Sequence, residues 1–95
     1  MNVNKFMFTL NDELIENSFI GVEIYKEYIK HEKLYSFIVS AGKRGKKYTL
    51  SFSVNENYLD YNTIEMIVDW FLRKEIEVMK WKLRRWYNMK IKWLK

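Results

Sequence analysis

His31 is the only histidine in the chain, and it stands between Lys30 and Glu32. An imidazole acts as a general base only when a second group orients it and a nucleophile faces it. No serine sits in a strained glycine-rich turn to be that nucleophile, so His31 reads as an exposed turn residue. Glu13, Glu16, Glu23 and Glu27 could in principle line a metal or nuclease site. No pair among them has a ligand spacing such as the Asp-x-Asp-Gly of a calcium loop, and they read as solvating carboxylates. Cysteine is absent, which excludes disulfides, thiolate chemistry and zinc sites built on Cys. The expectation is a chain with no catalytic, cofactor-binding or metal-binding residues, and hence not an enzyme.

The chemistry that the sequence does offer is that of a binding surface. Residues 1–70 hold 8 basic and 10 acidic side chains, whereas residues 71–95 hold 9 basic and 2 acidic ones. The last quarter of the chain therefore carries the whole positive excess. On a helical wheel Arg73, Glu77, Lys80, Arg84 and Asn88 share one face, with Trp70 and Trp81 beside it. Trp70 lies four residues before Lys74 and Trp81 four before Arg85, a spacing that permits cation–π contact. A second cationic group is Lys43, Arg44, Lys46 and Lys47, within five residues of chain. It reads as a mobile finger suited to a phosphate groove, or as a soluble turn whose lysines discourage edge pairing. Gly42-Lys43-Arg44-Gly45 matches the GxxG loop of KH domains only formally, because that loop joins two helices and this one joins strand-like runs. A P-loop is excluded by the missing upstream glycine and following helix.

Elements must hold these groups in place. Lys5 to Leu10 alternates, with Phe6, Phe8 and Leu10 on one side, and predicts a short strand. A short helix capped by Thr9 or Asn11 should follow, reaching Phe19 and stopped by Gly21. Val22 to Lys30 fits strand or helix, and strand is favoured. Leu34 to Ser40 and Lys47 to Val54 predict two strands of a β-hairpin, joined by a loop in which Gly42 and Gly45 are free to take positive φ. Asn62 or Thr63 should cap a long helix. Its apolar arc of Ile64, Ile67, Val68, Phe71, Leu72, Met79, Leu83 and Trp86 would lie on the sheet. The end of that helix is ambiguous. Met79–Leu83 and Met89–Trp93 both alternate with period two and could form a hairpin within residues 75–94, or pair between subunits of a homodimer. Helix formers dominate residues 72–85 and favour helix through Trp86, with residues 89–94 as a terminal strand or turn.

The chain has 95 residues, 48% of them apolar and 18% aromatic. One compact α+β domain over residues 1–95 is expected, an antiparallel sheet covered by a long C-terminal helix with a short N-terminal helix. The longest uncharged stretch, Leu34 to Gly42, is about half a membrane span, so no integral membrane association and a cytoplasmic location are expected. Lys, Asn, Ile, Tyr and Phe together supply 43 of the 95 residues, and Ala occurs once. All five have AT-rich codons, a bias that fits a phage, plasmid or low-GC bacterium. The element order resembles that of double-stranded RNA-binding domains and of several small phage inhibitors. That RNA-binding family carries a Lys-Lys-x-Ala-Lys cluster at the start of its last helix, where this chain has Thr63-Ile-Glu-Met-Ile67. The resemblance is thus one of topology.

Two functions are open. One is a module that contacts nucleic acid or a nucleoprotein through Trp70, Arg73, Lys74, Lys80, Trp81, Arg84 and Arg85, with Lys43, Arg44, Lys46 and Lys47 as a second contact. The other is a stoichiometric inhibitor of a host protein, for which Trp and Arg are the usual anchors. A membrane surface is the weakest partner, because the apolar helix face is needed to cover the sheet.

Overall fold

Phe6, Leu10 and Leu14 recur at every fourth position, and that stripe decides the first element. In the computed structural model, which describes the backbone of residues 1–94 and the side chains of residues 1–79, Val3–Glu16 forms helix α1 with all three residues fully buried. The expected strand over Lys5–Leu10 is therefore not formed. Phe8, which a strand would have turned inward with Phe6 and Leu10, is 67% exposed. Asn2, not Thr9 or Asn11, is the cap, its side-chain oxygen accepting from the Lys5 amide at 2.8 Å. The helix also ends earlier than Phe19. Ser18 takes φ 69°, and the Ser18 and Phe19 amides donate back to Ile15 and Leu14 at 2.9 and 3.0 Å. These two bonds make a Schellman ending, with Phe19 packed inward just past it.

Three ten-residue strands follow: β1 (Ile20–Ile29), β2 (Leu34–Lys43) and β3 (Lys46–Asn55). They form an antiparallel sheet in the order β1-β2-β3. The favoured strand over residues 22–30 is thus formed, with a register shift between Ile20 and Glu23 where Gly21 takes φ 60°. The hairpin is present with a tighter turn than expected. Gly42 stays in β2, and Arg44 and Gly45 alone make the turn, with φ 54° and 76°. Two consecutive positive φ values are the mark of a type I′ turn, whose twist matches that of the strands it joins. His31 lies exposed in a 3₁₀ turn, Lys30–Glu32, between β1 and β2.

The final element is helix α2, Tyr61–Leu94. It is capped by Asp60, which accepts from the Thr63 amide at 2.9 Å, while the Thr63 hydroxyl donates to the Tyr58 carbonyl at 2.7 Å. Asn62 and Thr63 lie inside the helix rather than capping it. The second hairpin considered for residues 75–94, and the terminal strand over 89–94, are not formed, since helix runs through both period-two stretches. At about 1.5 Å per residue α2 is roughly 51 Å long, against about 33 Å for a ten-residue strand. It is longer than the sheet it crosses. No described helix is long and apolar enough to cross a membrane.

Both helices lie on one face of the sheet, giving the expected α+β arrangement. The core between the layers is largely aromatic. Phe6 meets Phe37 at 5.4 Å, Phe37 stacks on Phe52 at 5.3 Å, and Phe19 stands edge-on to both Tyr48 and Phe71. Phe6, Phe19, Phe37 and Phe71 are fully or almost fully buried, each worth on the order of 1.5–3 kcal/mol in surface removed from water. Ile64, Ile67, Val68 and Phe71 supply the arc of α2, but Met79 at its far end is 40% exposed. Leu83 and Trp86, expected on the same arc, have side chains outside the described residues.

Candidate functional site

Where α2 meets the hairpin, a charged side chain sits on the apolar arc. Glu75 continues the spacing of Ile64, Val68 and Phe71 and is 8% exposed. Its carboxylate holds the Lys43 ammonium at 3.0 Å. Lys43 also donates to the Asn17 carbonyl at 2.9 Å and lies over the Phe19 ring, 4.7 Å from its centroid. One cation therefore ties the end of α1, the end of β2 and the middle of α2. Arg44 follows it onto the helix, with Nε 3.9 Å from Glu75 and Nη1 3.5 Å from the Met79 sulfur. The hairpin tip thus rests against α2, with Lys43 held by Glu75 and Asn17. Arg44 remains 67% exposed along its side chain, and Lys46 and Lys47 are exposed at the tip.

The Arg44–Met79 contact brings together two groups that lie apart in sequence. The hairpin cations stand beside the point at which Lys80 begins the basic end of α2. The side chains of Lys80, Trp81, Arg84 and Arg85 lie outside the described residues.

Earlier along α2 the cations are paired with acids. Arg73 pairs with Asp69 at 2.8 Å and Lys74 with Glu77 at 3.6 Å, both on the exposed side. Lys74 also reaches over the Trp70 ring, 5.9 Å from its centroid. Trp70 is half-buried, edge-on to Phe71 at 5.0 Å. It forms one wall of an open, largely apolar groove of about 250 Å³ between α2 and β3, with Leu50, Phe52 and Met66 among its other walls. Met66 is 65% exposed. Residues 1–79 hold 10 basic and 12 acidic side chains, whereas residues 80–95 hold 7 basic and none acidic. The boundary of the basic region thus falls at the hairpin tip, nine residues later than where the chain was first divided.

Sequence reasoning missed Glu75 because it was counted as one of two acids in a basic tail. The signal was its position on the arc that Ile64, Val68 and Phe71 define. Its partner, 32 residues away, carried no such signal. Among the described residues no three His, Asp or Glu side chains gather closely enough to hold a metal ion. Comparison with protein-family models, with curated proteins and with solved structures gave no match.

Proposed function

We propose that this protein is a non-enzymatic binding module that contacts nucleic acid, or a nucleoprotein, with the basic end of α2 and the hairpin tip beside it. The observation that supports this reading is the joining of the two cationic groups at one end of the molecule through Arg44 and Met79. Exposed Lys46 and Lys47 then lie near the start of a helical segment, residues 80–94, that carries six cations and no acid. Helical lysines and arginines of this density neutralise phosphates, while Trp81, Trp86 and Trp93 are of the residue type that stacks on bases. Trp70, Arg73 and Lys74, engaged with one another or with acids, fit better as the margin of the surface than as its centre.

Binding of this kind is largely electrostatic and weakly selective for sequence. With roughly 4–6 phosphates neutralised, log affinity on duplex should fall with log salt at a slope of about −4 to −5. Fluorescence anisotropy with a labelled duplex and a labelled single strand, from low to moderate salt, measures this. No binding at low salt would remove the reading. A partner that survives nuclease treatment in a pull-down would favour the second reading, stoichiometric inhibition of a protein.

A further inference from the structure

The two edges of the sheet are built differently. β1 carries Glu23, Lys26 and Glu27 and breaks register near Gly21. Charges and bulges are the usual means by which an outer strand discourages a further one from adding. β3 has neither along its middle. Tyr48 to Asn55 is a run of uncharged residues without proline, and its register with β2 is unbroken from Leu34 opposite Asn55 to Lys43 opposite Lys46. Among the described residues, no segment pairs with the outer side of β3. Beside that edge lies the groove walled by Leu50, Phe52, Met66 and Trp70.

The turn fixes which backbone groups face outward. In a two-residue I′ hairpin the closing pair, here Lys43 and Lys46, exchanges hydrogen bonds, and such pairs alternate along the ladder. Lys47, Thr49, Ser51, Ser53 and Asn55 therefore direct their N–H and C=O groups to the open edge.

We propose that this edge pairs with the same edge of a second copy of the chain, antiparallel about a two-fold axis at Ser51, to make one continuous six-stranded sheet. The register follows from the residues. Centring the axis on Ser51 pairs every outward-facing residue: Ser51 with itself, Thr49 with Ser53, and Lys47 with Asn55. It sets Leu50 against Phe52 on the helix side, where both are only half-buried, and joins the two apolar grooves. Centring on Leu50 instead would face Lys46 with Val54 and leave Asn55 unpaired. That match of outward-facing residues and of apolar surface selects a second copy over an unrelated strand. The interface is isologous, as two-fold dimers require. Its test positions, Thr49, Ser51 and Ser53, lie outside the cationic surface proposed above, so the two stand or fall separately.

Sedimentation equilibrium on nucleic-acid-free protein should give about twice the 11.8 kDa chain mass. Ser51 points away from the helices and is exposed, so Ser51→Lys and Ser51→Glu should keep the wild-type circular dichroism. Each places like charges across the axis and should weaken the dimer on the order of tenfold, and mixing the two variants should restore it. Because the chain has no cysteine, Ser51→Cys adds a single thiol. Across the axis its Cα separation, about 5.5 Å, falls within disulfide range. It should crosslink in dilute oxidant, Ser53→Cys alone should not, and Thr49→Cys mixed with Ser53→Cys should. A monomer at every concentration, a dimer indifferent to both charged variants, or crosslinking of Ser53→Cys as ready as that of Ser51→Cys would each overturn the proposal.

Discussion

Lys43 and Glu75 form the ion pair with the least solvent among the described residues, with side chains 16% and 10% exposed. Removing one member of such a pair leaves the other desolvated without a counter-charge, which costs far more than the pair itself contributes. Glu75→Leu and Lys43→Met should each lower stability by about 2 kcal/mol. Lys43→Met combined with Glu75→Leu should recover most of the loss, since an apolar pair of similar volume suits that position. Chemical denaturation of the three variants, read as a double-mutant cycle, checks this. The pair also explains what a single sequence cannot convey. Lys43 looked like one of four equivalent cations in a loop, and its distinction comes from facing the helices with Ala41 and Val39, a side fixed by strand register. Lys46 and Lys47, with no such constraint on them, lie exposed at the tip.

The elements were legible where one period dominated. Residues 34–54 alternate cleanly and form the hairpin, and Ile64, Ile67, Val68 and Phe71 announce the core face of α2. Lys5–Leu10 misled because Phe6, Phe8 and Leu10 fit period two, while Phe6, Leu10 and Leu14 fit the helix that forms. The longer stripe wins because it buries three residues on the sheet at the cost of exposing Phe8. The end of that helix was also misjudged, since Ser18 rather than a glycine adopts the left-handed conformation. Ser18→Gly removes the Cβ strain of that position and should stabilise the fold by about 0.5–1 kcal/mol, measurable as a raised Tm. At the other helix, the backbone amide of Thr63 holds the Asp60 carboxyl below the usual carboxylate range. A depressed acid stabilises the folded state above its unfolded pKa and loses that contribution as pH falls through the folded value. Wild-type Tm should therefore drop on acidification below roughly pH 4. Asp60→Asn keeps an N-cap acceptor and should show a smaller drop over the same range.

At the scale of the molecule, a body with slightly more acids than bases ends in a strongly basic helical segment. Sequence alone revealed the excess, and what the structure adds is that Arg73 and Lys74 are paired with Asp69 and Glu77. If the hairpin tip and the end of α2 act as one surface, charge reversal at Lys46 and Lys47 should weaken nucleic-acid binding and flatten the salt slope, as reversal at Arg84 and Arg85 should. The described cover of the sheet is supplied by α2 residues up to Val78. The apolar face of that stretch is thus occupied and not free to enter lipid. Flotation with anionic and neutral vesicles, run beside the nucleic-acid titration, separates the two kinds of anionic partner.

The latch of Asn17, Lys43 and Glu75 stands close to where α2 becomes basic. Tension applied through the last turns of α2 would load this polar clasp ahead of the aromatic interior behind it. An ion pair oriented across a helix yields over a short distance, whereas interlocked rings must be dragged past one another. Pulling from the C-terminus should therefore release the hairpin tip in an early, low-force step, and Glu75→Gln should erase that step while leaving the main rupture in place.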